Sequence, residues 1–73
     1  MKYAVIIEAG AGNYSAYVPD LPGCIATGKT LDEVKQRMRE AIAFHIEGLQ
    51  EDGLPIPPAT SLCEYVELQE EAT

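Results

Sequence analysis

Tyr17-Val18-Pro19-Asp20-Leu21-Pro22-Gly23-Cys24 interrupts a strand-like run with two prolines and a glycine, and Thr27-Gly28-Lys29-Thr30-Leu31-Asp32-Glu33 then leads the chain into a helix. Proline cannot donate to a strand ladder, so pairing stops at Pro19 and a turn runs to Gly23. Residues 24–28, CIATG, resume as a short strand. Thr30 followed by Glu33 matches a capping box, in which the Thr30 hydroxyl accepts from the Glu33 N–H and the Glu33 carboxylate answers the Thr30 N–H. Asp32 and Glu33 also suit the positive end of a helix dipole.

Working outward, residues 2–9, KYAVIIEA, are rich in strand-forming types and predict a first strand with apolar residues on both faces. Gly10-Ala11-Gly12-Asn13 supplies a hairpin loop, and residues 14–18, YSAYV, a second strand. From Leu31 the apolar positions run Leu31, Val34, Met38, Ala41, Ile42, His45 and Leu49, which is helical spacing. Gly53 is placed to end that helix in the left-handed conformation, ahead of an extended connector, Leu54-Pro55-Ile56-Pro57-Pro58. Residues 61–68, SLCEYVEL, read as a fourth strand, and residues 69–73 as a frayed acidic tail.

The resulting order is β-β-β-α-β, an α+β two-layer sandwich in one domain over residues 1–73. Short loops make the first three strands antiparallel. The helix returns the chain so that the fourth strand lies parallel beside the first, giving the order 3-2-1-4. A lone helix covers one face of such a sheet. The apolar side chains of the other face, among them Ala4, Ile6, Tyr17 and Ile25, then call for a partner.

Bulk properties point the same way. A chain of 73 residues has a small core, and cores of this size need a staple. Cys24, Cys63 and His45 are too few for a four-ligand zinc site. A single disulfide is arithmetically possible, but free cysteine is a good small core residue and no secretory leader is visible, so oligomerisation is the expected staple. Twelve acidic against five basic residues give a net charge of −7, which disfavours direct nucleic-acid binding and suits a basic protein partner. No apolar run has membrane-spanning length, so no membrane insertion is expected and the chain reads as cytoplasmic.

Four pieces of the sequence resemble, in order and spacing, the HicB-type antitoxins: Tyr17 to Cys24, Gly28-Lys29-Thr30-Leu31-Asp32-Glu33-Val34, His45-Ile46-Glu47-Gly48-Leu49, and Gly53-Leu54-Pro55-Ile56-Pro57-Pro58. The resemblance implies a partial ribonuclease-H-like fold that assembles as a homodimer or homotetramer. It also implies a partner, a small basic toxin of the HicA type that resembles a double-stranded-RNA-binding domain and degrades messenger RNA. Longer members of the family carry a carboxy-terminal DNA-binding domain. Residues 1–73 leave no room for one, so operator binding is not expected of them.

His45 lies mid-stripe with no nucleophile or ligand at an interpretable spacing, so it reads as a packed histidine rather than a catalytic base. Glu8, Glu40, Glu47, Glu64 and Glu67 invite comparison with the carboxylates that hold two metal ions in ribonuclease H. The helical pair, however, faces away from the apolar stripe, and these acids read as solvated. Asp20 is expected to cap its own turn, while Pro19, Pro22, Gly23 and Gly28 shape the backbone. Phe44 stands off the stripe beside Gly48, either anchoring another protein or lying under the proline-rich connector. Phe44, Glu47, Glu51 and Asp52, with the sheet residues above, are therefore the candidates for partner contact. No catalytic residue and no cofactor is assigned. The alternatives are a vestigial metal-dependent nuclease and an oligomeric scaffold that binds a small ligand between subunits.

Overall fold

The computed structural model describes residues 1–69. Three strands, β1 (Ile6–Ala9), β2 (Tyr14–Tyr17) and β3 (Ile25–Gly28), precede one helix, α1 (Leu31–Glu51). The sheet is antiparallel with β2 in the centre. This is the 3-2-1 part of the expected order. Residues 2–5 lie short of β1: continued in the same register, residues 2–4 would fall opposite Leu21, Asp20 and Pro19, in the turn where the ladder has already ended.

That turn is closed by its own backbone. The Leu21 N–H donates to the Val18 carbonyl, the Cys24 N–H to that of Leu21, and the Val18 N–H to that of Cys24. Gly23 sits at φ +82°, which an L side chain rarely adopts. The turn thereby folds Leu21 inward, where it is fully buried. Leu21 joins Ala16, Val18, Cys24, Val34 and Met38 in the core between sheet and helix. Both cysteines are free, and burial pushes the Cys24 thiol pKa up, so Cys24 packs as a neutral apolar group.

The helix begins largely as its capping sequence requires. The Glu33 N–H donates to Thr30 Oγ1 at 3.0 Å. The reciprocal bond is displaced by one residue: Glu33 Oε1 accepts from the Lys29 N–H at 3.4 Å while pairing with Arg37 Nη2 at 3.0 Å. Arg37, one turn on, draws the carboxylate aside and also donates to the Thr27 carbonyl, tying the helix to β3. Gly28 lets the two meet, since a Cβ there would lie 2.7 Å from the Val34 nitrogen. At the other end Gly53, at φ +67°, donates to the Gln50 carbonyl and Leu54 donates to that of Leu49, which is the hydrogen-bond pattern of a Schellman stop.

The fourth strand is the main correction. Residues 61–68 make no ladder with β1, and the described sheet has three strands. The segment is pinned at its root, follows β1 across an open groove, and leaves Leu62, Tyr65, Val66 and Leu68 exposed. The radius of gyration is accordingly 15.2 Å, where a compact chain of this length has about 11 Å. The tail expected over 69–73 falls, beyond Gln69, outside the described residues.

Candidate protein-binding site

The candidate residues divide between two surfaces. On the sheet, Ile6 is paired with Tyr17 and Tyr17 with Ile25, so the three form one apolar row across all strands. Ala16, one position from Tyr17, is buried against the helix, which places this row on the opposite, uncovered face. Tyr17 is 43% exposed and Ile25 69%. Ala4, two residues before Ile6 and half-buried, extends the row, and the next row on this face, Glu8, Ser15 and Thr27, is polar.

The second surface is the outer side of α1. Phe44 is 79% exposed, so the connector does not fold over it. At about 100° per residue, Glu40, Phe44, Glu47 and Glu51 fall within one narrow stripe. All four are exposed, and Asp52 caps the same end of the helix. The last turn carries acids and no base, which is the unfavourable arrangement for the negative end of a helix dipole. A locally costly choice of this kind marks a surface shaped by something other than helix stability. The eight candidates thus lie on opposite layers of the sandwich and do not form one patch.

Asp20 corrects a local expectation. Two residues on stands Pro22, which has no N–H to cap. The carboxylate instead reaches across the molecule. Oδ2 accepts from the N–H groups of Thr60 and Ser61 at 2.9 Å each, and Oδ1 accepts from their hydroxyls at 3.1 and 2.8 Å. The Ser61 N–H first, then the Ser61 hydroxyl and the Thr60 groups, hold the Asp20 pKa below its ordinary value. The Tyr3 hydroxyl adds a bond to the Pro57 carbonyl at 2.6 Å. Together these fix the point at which the C-terminal segment leaves the domain. No local pattern announced the clamp, because its partners are forty residues apart.

Pro19 and Pro22 are exposed on the turn, and His45 is half-buried on the inner side of α1. Among the described residues, no three His, Cys, Asp or Glu side chains gather closely enough to hold a metal ion. No described helix is long and apolar enough to cross a membrane.

A family model for the HicB-like antitoxin of bacterial toxin–antitoxin systems matches residues 3–72. The chain belongs to the HicB-like antitoxin family. Its relatives include an uncharacterized 14.9 kDa protein of the rep–hol intergenic region of Haemophilus phage HP1, 41% identical over 66 residues, a match covering 90% of this chain and 50% of the relative. The chain therefore spans about half the length of that phage protein. A UPF0150 protein of Thermoplasma acidophilum is 45% identical over 58 residues, covering 78% of this chain and 84% of that one. Among solved structures, a chain of the HicA3 and HicB3 toxin-antitoxin complex superposes with a TM-score of 0.71 at 33% identity, covering 81% of this chain and 70% of its own length. Three antiparallel strands followed by one helix are consistent with the HicB-like fold.

Proposed function

We propose that residues 1–73 form a single antitoxin domain that binds a small basic HicA-type toxin and covers the surface on which that toxin holds RNA. The observation that carries this reading is the structural likeness to a chain of a toxin–antitoxin complex, supported by the antitoxin family model across almost the whole chain. The mechanism is steric and electrostatic, needs no catalytic group in this chain, and operates in the cytoplasm. Phe44 supplies an apolar anchor, and Glu40, Glu47, Glu51 and Asp52 surround it with negative charge. Such charge chiefly accelerates encounter and fixes orientation, while the buried anchor slows release. The Ile6–Tyr17–Ile25 row lies on the other layer and serves self-association into a homodimer or homotetramer.

The test is co-purification from the native host at physiological salt. A stoichiometric complex with a small basic protein encoded beside this chain is the expected result. Recovery of the self-oligomer alone, with no toxin bound when the two are mixed, contradicts the reading.

A further inference from the structure

The C-terminal segment has the pattern of a strand without a strand's surroundings. Leu62 is 87% exposed, Val66 78%, Leu68 81% and Tyr65 completely so. Beside it, β1 is an edge strand whose outer N–H and C=O groups face a groove of about 420 Å³ lined by Val5, Ile6 and Ile7 on one side and Leu62 to Tyr65 on the other. The root of the segment is held at the foot of β1 by the Asp20 and Tyr3 bonds. Among the described residues, one molecule therefore carries both an open edge and an unpaired extended segment, separated by a slot. Strands pair at about 4.8 Å, so a slot between two extended segments is the place for one more strand.

We propose that Ser61–Gln69 is an exchange arm: it enters the slot beside β1 of a second copy of this chain and supplies there the fourth strand that the described residues of one copy lack. The proposal rests on the self-association inferred above and names its mode. Exchange between two copies gives the order β1, partner arm, own arm, partner β1, with the two arms antiparallel across a two-fold axis. Such an arrangement is closed and isologous, since each copy gives one arm and accepts one.

The arm's sequence selects a register. Centred on Tyr65, an antiparallel pair sets Leu62 against Leu68, Cys63 against Glu67 and Glu64 against Val66. Apolar then meets apolar at the ends and no glutamate faces another. Centring the pair one residue earlier opposes Glu64 to its own copy, a like-charge pair that destabilises a sheet. An aromatic side chain alone covers about 150–250 Å². Leu62, Val66 and Leu68, all exposed in the single copy, add apolar surface to the contact from both copies.

The register places Cys63 beside residue 67 of the other copy. Within one extended chain those positions lie about 13 Å apart, too far for a disulfide. The experiment is mild oxidation of the full chain carrying Glu67→Cys, read on a non-reducing gel, with sedimentation of the wild type and of Val66→Pro in parallel. Exchange predicts a covalent dimer of twice 7.9 kDa in Glu67→Cys and at least a tenfold weaker dimer in Val66→Pro, whose helical circular dichroism stays intact. A wild-type dimer that persists in Val66→Pro and gives no disulfide in Glu67→Cys overturns the exchange while leaving self-association standing. A wild type that sediments as a monomer at 100 µM overturns self-association itself.

Discussion

Val34 and Val66 are the same residue type in opposite circumstances. Val34 is fully buried between helix and sheet, whereas Val66 is 78% exposed on an extended segment outside the ladder. The first belongs to a region that closes on itself: a capped helix, a turn that folds Leu21 inward, and six buried apolar residues. The second belongs to a region with strand-forming sequence and no ladder. The difference separates the part of this small fold that is completed within the described residues from the part that, on the proposal above, a second copy completes.

The comparison can be broken from the closed side first. Leu21→Ala removes a fully buried side chain and is expected to cost about 3 kcal/mol, measured by urea denaturation. That is most of the roughly 3–5 kcal/mol that so small a core supplies. Gly28→Ala forces a Cβ to within 2.7 Å of the Val34 nitrogen and is expected to cost about 2 kcal/mol, visible as a lower urea midpoint. Thr30→Ala removes the oxygen that accepts the Glu33 N–H and is expected to cost about 1 kcal/mol on the same measurement. If these three changes proved harmless, the closed region would not be the seat of stability.

The smallest effect belongs to the joint between the two regions. The folded-state pKa of Asp20 is lowered, so its contribution is complete above the ordinary carboxylate value and is lost as pH falls through the folded value. The Thr60 and Ser61 amides are expected to titrate together in NMR spectra, with a midpoint below that of an unperturbed aspartate. Asp20→Asn is expected to abolish that transition. Amides that titrate at the ordinary value would show the clamp to be open in solution.

Much of the closed region was legible in the sequence, because its signals are local. Thr30 to Glu33 start the helix, Gly53 ends it, and Pro19 to Gly23 break the sheet, each within a few residues of the effect. Leu21 was harder to read: it sits between turn-forming residues, and only the backbone path shows that it points into the core. Asp20 reads locally as a cap for its own turn, although its partners are Thr60 and Ser61. The fourth strand expected over 61–68 is missing from the described ladder, because a strand pattern states what a segment prefers and not which edge it meets. Six of the eight candidate contact residues are exposed and Ala4 and Ile6 are half-buried, and periodicity on separate elements gives no means of seeing that Phe44 and Tyr17 lie on opposite layers.

The most direct test of the account is RNA cleavage by the HicA-type toxin in the presence of this chain. The wild type is expected to suppress cleavage at equimolar ratio, and Phe44→Ala combined with Glu47→Lys to require at least tenfold more protein while retaining the wild-type urea midpoint. Cleavage undiminished by excess wild-type chain would contradict the claim that the acidic outer face of α1 covers the surface on which such a toxin holds RNA.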